Sequence, residues 1–446
     1  MAEIYPFRAL QYNQEKITDL ATVVTQPYDK ITPEMQERYY NASPYNFIRI
    51  IKGKASPEDT ATNNVYTRAA AFFKQWQAEG ALKPIDHPAL FAYFQEYTIP
   101  GTNERRMRKG FIGLGKIEEY SAGVIFPHER TLTSPKIDRL ELLRATQAHL
   151  EQLFMIYSDP EGKIDQLLDQ VAQHRASLQV RDDYDVLNYL WPITDESLIA
   201  KIQNEMKSKK LIIADGHHRY ETVLNYRNER RAKAGAGNLG EMPYDRAMMT
   251  FINMDNEGLT LLPTHRLVSN LEHFNLDRLL TSARSYFDIR EYSFSGQDKA
   301  AVVERFRKGL KDQGVDKPCI GLYSSSSSSF YLLALREGPE FAGAVEDVSP
   351  IQRKLDVVVL HHLLISKCLG ITAEDVAKER HIKYLREFEA GIEAVDSSAA
   401  QLCFFLNPTR IEQVRTIALA GETLPQKSTD FYPKLLSGLT IYDMGA

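Results

Sequence analysis

The apolar spacing changes character along the chain. Tyr45 to Lys52 alternates enough to predict a strand, whereas Thr67 to Glu79 sets Ala70, Phe73 and Trp76 on one face of an amphipathic helix. Leu90 to Tyr97 and Gly110 to Glu119 read as strands of one sheet joined through the polar loop Gly101 to Arg105, and Leu153 to Tyr157 as a further strand. Helices are expected around Ile137 to Gln152 and from Gly162 to Val171. The short apolar run Leu211-Ile212-Ile213-Ala214 predicts a buried strand, Asp215-Gly216 a turn, and the residues from about His218 to Ala234 a helix. Arg246 to Met254 reads as a strand that Gly258 to Leu267 completes as a hairpin. After about Phe274 helix and strand follow in quick succession: Ala301 to Leu310 and Leu355 to Cys368 as helices, Cys319 to Tyr323, Phe330 to Leu335 and Leu402 to Leu406 as strands, with Ser324 to Ser329 as a hairpin tip. The pattern predicts an α+β protein of two domains, residues 1–273 and 274–446.

Bulk properties narrow the partners. Of the 446 residues 43% are hydrophobic and 25% charged, a composition that folds without help. A net charge of -5 and the lack of a basic tail argue against nucleic acid as the partner, and no run approaches the roughly 20 apolar residues of a membrane-spanning helix. Cys319, Cys368 and Cys403 lie far apart and make a poor disulfide framework, and the first residues carry no secretory pattern. A cytoplasmic protein acting on a small molecule is the expectation.

The chemistry concentrates in Asp215-Gly216-His217-His218-Arg219-Tyr220-Glu221. A strand ending in Asp-Gly and a helix opening on two His and an Arg bring helix amides, a close-approach glycine and a guanidinium to one point, which suits phosphate or carboxylate. His217 or His218 can donate to the anion or move a proton, and Arg219 can grip it with two donors. Zinc is the weaker alternative, because adjacent His at a helix start diverge, while Mg2+ held by Asp215 together with a phosphate ligand stays open. Asp215 as a simple helix cap beside surface His and Arg is the bland alternative. A second polar stretch, Pro127 to Lys136, holds Glu129 as a general-base candidate, with Thr131 and Lys136 as phosphate-binding candidates. Thr264-His265-Arg266 and Lys427-Ser428-Thr429 pair a cation with hydroxyls near a turn and are further anion-binding candidates.

These same residues carry a resemblance. Pro6-Phe7-Arg8-Ala9, Gln26-Pro27-Tyr28-Asp29, Pro44-Tyr45-Asn46-Phe47, the Pro127 to Lys136 loop, Ala214 to Glu221, Leu262 to Arg266 and Leu424 to Lys434 resemble, in order and over nearly the whole chain, the bacterial and archaeal domain of unknown function 1015. That family in turn resembles the ParB and sulfiredoxin-like fold group, which includes free-serine kinases using ADP or ATP. The resemblance implies a ParB/sulfiredoxin-like core with an additional C-terminal α+β domain. It implies a catalytic role for Glu129 and a phosphate- and substrate-binding role for Asp215, Gly216, His217, His218 and Arg219, with an insertion between the two motifs. The resulting expectation is a phosphotransferase acting on serine or a serine-like metabolite with ATP, ADP or pyrophosphate as donor. No Walker sequence and no kinase Gly-rich loop is present, so such a kinase would be of an unorthodox type. The alternative is a non-catalytic, ParB-like nucleotide-binding regulator; charge places a DNA-partitioning or nuclease role last.

Overall fold

The computed structural model of the protein describes residues 1–129, 133–235, 240–296, 298–336, 338–346 and 348–445. Helix makes up 36% and strand 26%, so the class is α+β. Contacts divide the chain into two units. Met1–Pro127, Thr131–Thr260 and Phe431–Ala446 form the first, and His128–Arg130 with Leu261–Asp430 the second. Among the described residues no helix is long and apolar enough to cross a membrane.

The first unit is built on a nine-stranded sheet. Its strands lie in the order Ile125–Phe126, Leu211–Asp215, Leu153–Tyr157, Arg246–Asn253, Arg105–Lys116, Leu90–Thr98, Leu187–Ile193 and Leu178–Arg181, with Ile4–Tyr5 also paired to Arg105–Lys116. Register gives the sheet two unlike faces, because residues paired across strands point the same way and neighbours along a strand point oppositely. Ala92, Phe111, Phe251, Met155 and Ile213 are successive partners on one face, all in the main hydrophobic core. The helices Lys163–Val171, Glu196–Met206 and His217–Ala234 contribute to that core through residues such as Ile164, Ile202 and Tyr220. On the other face Phe91, Ile112, Thr250, Phe154 and Asp215 are successive partners, and Gln95 pairs with Arg108 two positions along.

That second face is covered by the two ends of the first unit. The Phe7 ring meets Phe91 at 5.6 Å, and Phe431 meets Phe154 at 5.6 Å. The last residues run across the strands in turn: Gln95 Nε2 donates to Lys434 O (3.0 Å) and Leu436 N to the Tyr93 hydroxyl (3.4 Å).

The second unit is a six-stranded antiparallel sheet in the order Phe287–Ser293, Ser329–Leu335, Cys319–Ser324, Leu402–Leu406, His265–Val268 and Ile382–Leu385. Both faces are apolar. One packs Ile320, Leu333 and Phe404 against Leu279 and Leu363, and the other packs Leu332, Phe330 and Phe405 against Phe306 of the helix Lys299–Gln313. The expected hairpin tip at Ser324–Ser329 joins two antiparallel strands.

Two local expectations are corrected. Tyr45 to Lys52 is not a strand: Asn46 accepts from Ile48 N (3.0 Å), and this side-chain turn starts the short helix Ile48–Ile51, whose apolar residues suit either element. Gly258 to Leu267 does not complete a hairpin with Arg246–Asn253. Pro263 has no N–H for a ladder, and His265–Val268 beyond it pairs instead with Leu402–Leu406 and Ile382–Leu385.

Candidate functional site

In the first unit the strand Leu211–Asp215 ends in a register shift. Ile213 faces Met155, but Asp215, not Ala214, faces Phe154, so the bulge turns the carboxylate onto the second face of the sheet, the one that also carries Thr250, Gln95 and Arg108. Gly216 then takes φ +93° as the N-cap of the helix His217–Ala234, a conformation that costs an L-residue with a side chain. The turn is tight for a second reason. A Cβ at Gly216 would stand 3.1 Å from Arg219 Nε and Nη2, because the Arg219 guanidinium folds back over the start of its own helix. Arg219 Nη1 donates to Gln152 O (2.6 Å), which leaves the Nε and Nη2 edge beside Gly216.

Asp215 is the centre of a charged cluster. Its Oδ1 accepts from Gly216 N (2.8 Å), and its Oδ2 lies 3.2 Å from Lys434 Nζ. Burial alone would raise this carboxyl, but Lys434, Arg219 and Lys30 outweigh it and hold the group below the usual carboxylate range. Burial likewise works against the charge on Arg219, and Glu151, Asp215 and Asp29 more than offset it. Glu151 accepts from Tyr28 N (3.1 Å) and stands 3.7 Å from Arg139, whose guanidinium lies 4.1 Å from the centre of the Tyr28 ring.

Arg108 was not singled out from the sequence. It is 1% exposed, its Cζ lies 4.7 Å from the centre of the Phe154 ring, and Nη2 donates to Gln95 Oε1. Among the described residues Nε and Nη1 have no hydrogen-bond partner. Burial pushes this guanidinium down to about 10, against the pull of Tyr93, Tyr97 and Asp215. A buried cation with two unmet donors is expensive, and a bound anion would meet both needs. The only sequence signal was Arg105-Arg106-Met107-Arg108-Lys109, in which strand pairing decides which cation goes inside.

The other expected residues fall as follows. His217 is buried at the helix start and His218 is half-buried, its carbonyl accepting from Thr222 Oγ1 (2.8 Å). Lys136 is ion-paired with Glu221, and Thr131 lies outside the described residues. Glu129, Thr264, His265, Arg266, Lys427, Ser428 and Thr429 belong to the second unit. There Glu129 bridges to Leu424 in parallel, and the buried His128 contacts Thr429 Oγ1 through Nε2 (2.8 Å). Arg266 is 1% exposed: Nη1 donates to Thr264 O, Nη2 to Lys427 O (3.0 Å), and the guanidinium faces the Tyr384 ring. Burial lowers it to about 10, with Tyr384 and Glu129 acting the other way. Ser428 Oγ donates to Pro425 O (2.6 Å). His265 is a core imidazole between the Phe388 and Phe405 rings, pushed down to about 3 by burial and by Arg266 and Arg307.

Among the described residues no group of three or more His, Cys, Asp and Glu is placed to hold a metal. Asp215 has both oxygens engaged and several cations around it, an environment that does not suit a protein-held Mg2+.

Residues 4–358 match the family model described as protein of unknown function (DUF1015), and the chain belongs to that family. None of the curated proteins matches it. Among solved structures, a conserved hypothetical protein from Pyrococcus furiosus is 14% identical over 69% of this chain and 87% of its own, with a TM-score of 0.32. A free serine kinase in complex with AMP is 12% identical over 69% of this chain and 83% of its own, with a TM-score of 0.34. SbnI with a C-terminal truncation, from Staphylococcus aureus, is 10% identical over 74% and 87%, also at 0.34. Likeness at this level carries no argument about activity.

Proposed function

We propose that the chain is a phosphotransferase that moves a phosphoryl group from a nucleotide (ATP or ADP) or pyrophosphate to a small hydroxylated metabolite, serine or a serine-like compound first. The observation that carries the reading is Arg108, a buried cation with two unmet donors beside Asp215, in a neighbourhood that also holds Arg219, Lys434 and Lys30. Phosphoryl transfer spreads negative charge over the oxygens of the moving group, and catalysis is mostly positioning and electrostatic stabilisation of that charge. Arg108 on its strand, with Arg219, Lys434 and Lys30 around Asp215, supplies both with little reorganisation. Asp215 serves them as an anchor: paired with Lys434, it keeps the ammonium and the Arg219 fork in place. Glu129 is the proposed acceptor of the hydroxyl proton, and His217 and His218 the groups that orient phosphate. The resemblance of the sequence motifs to the ParB/sulfiredoxin-like group supports the same assignment.

The pairing of Asp215 with Lys434 favours one other reading, a regulator that binds a nucleotide without turning it over, because this carboxylate is not free to act as a base. Incubating the protein with ATP, ADP or pyrophosphate and a pool of hydroxylated metabolites, followed by mass spectrometry, separates the two. A phosphorylated metabolite is the expected product. Saturable nucleotide binding with no such product would give the regulator, and no binding of any donor would refute both.

A further inference from the structure

The second unit has a cavity of about 530 Å3, within the range of about 300–1,000 Å3 usual for small-molecule sites. It opens where the chain enters the strand Cys319–Ser324, leaves the strand Leu402–Leu406 and begins the helix at Asp356. Five cations line it: Lys311, Lys317, Arg353, Lys354 and Arg410. Two carboxylates, Asp316 and Asp356, stand against them.

Those cations are poorly matched inside the protein. Lys317 reaches Asp288 only at 3.9 Å. Arg353 and Arg410 are steadied by backbone carbonyls, Val348 O at 2.8 Å and Val315 O at 3.1 Å, which position the guanidinium groups without neutralising them. Among the described residues no carboxylate forms an ion pair with Lys311, Arg353, Lys354 or Arg410. Asp356 offsets the five cations only in part: burial pushes its carboxyl up to about 7, against Asn407 Nδ2 and Cys319 N, which donate to it at 3.3 Å each, and against the charge of Arg410. Converging like charges repel, and concave walls focus their field, so the cavity attracts an anion. Phe341, Leu335 and Pro318 give the remaining wall an apolar character that inorganic ions do not use.

We infer that this cavity binds a small organic polyanion, a compact molecule with two or more phosphate or carboxylate charges and an apolar or planar body. The compact, half-open hollow fits a metabolite better than a nucleic acid strand. The inference concerns the second unit alone and does not depend on phosphotransferase activity.

Hydrogen–deuterium exchange on the intact chain tests it, with AMP and citrate as probes for the phosphate and carboxylate sources and inorganic phosphate as the body-less control. Peptides covering 311–318, 350–356 and 407–413 should gain protection with AMP or citrate, and less with inorganic phosphate. The double variant Arg353→Ala, Arg410→Ala should weaken that protection roughly tenfold or more in apparent affinity, as expected when charge-assisted hydrogen bonds are lost. Lys354→Glu, at an exposed rim position that the fold does not need, should weaken it by a smaller factor. Peptides around 211–222 report the first unit separately. No protection of the three segments by either organic probe would overturn the inference, as would protection that both sets of variants leave unchanged.

Discussion

Two arginines, one in each unit, are buried to the same 1% exposure and pushed down to the same level by burial, yet they are not equivalent. Arg266 has a chelated cage. Two of its nitrogens donate to Thr264 O and Lys427 O, its flat face lies against Tyr384, and among the described residues only its Nε finds no acceptor. Arg108 has, among the described residues, one side-chain acceptor, Gln95, and two nitrogens without any. A guanidinium that closes a chain segment onto a strand acts in folding, and one left under-satisfied beside other cations is set for something that arrives later. Burial and a depressed pKa alone would have ranked the two alike; counting donors and acceptors separates them.

Glu129 is the carboxylate whose charge supports Arg266, and its proposed chemical role goes beyond that support. Glu129→Gln keeps the shape and removes the proton acceptor, so kcat for phosphoryl transfer should fall roughly 10²–10⁴-fold with nucleotide binding nearly intact. Steady-state kinetics with the product found above would show it, and wild-type turnover would remove Glu129 from the reaction. Arg266→Met is expected to destabilise by roughly 1–3 kcal/mol for each carbonyl left without its donor, read from urea unfolding. A variant as stable as wild type would mean that the cage is incidental.

Gly216→Ala probes the first unit's turn. A side chain at φ +93° costs roughly 1–2 kcal/mol, and its Cβ would crowd the Arg219 guanidinium, so stability and phosphate affinity should drop together. Full affinity in this variant would show that Arg219 need not lie over the helix start. The smallest effect concerns Asp356. Its folded-state carboxyl titrates near 7, above that of the unfolded chain, so the folded protein holds the extra proton in between. Stability therefore falls as pH rises from the ordinary carboxylate range to about 7, and Asp356→Asn should flatten that slope. Melting temperatures across the window check the sign, and an unchanged slope in the variant would assign the dependence elsewhere.

Strand, turn and helix at 211–234 were readable because an apolar run, Asp-Gly and a polar helix follow one another locally. The orientation of Asp215 was not. It depends on a bulge, and a bulge is a relation to the neighbouring strand, here Leu153–Tyr157. Arg108 was hidden among four basic residues in five, since alternation marks a face only once pairing says which face is covered. Lys434 reaches Asp215 from 219 residues away in sequence, and nothing local near residue 431 announces that the chain rejoins its first unit there. His265 shows the opposite failure. Between Thr264 and Arg266 it reads as a polar turn group, but the strand it begins is central and its ring packs among aromatics.

Arg108 is held in reserve for an anion on this reading, and calorimetric titration of pyrophosphate and ADP into wild type and Arg108→Met is the decisive measurement. Methionine fills much of the same volume without the charge; leaving Gln95 Oε1 without its donor costs roughly 1–3 kcal/mol, which removal of a buried cation with two unmet donors offsets in part, so the variant should stay folded. Affinity for both ligands should fall by roughly 10–100-fold, the loss expected when charge-assisted hydrogen bonds to a buried anion disappear. Equal affinity in the two proteins, with the variant folded, would mean that Arg108 does not meet the anion.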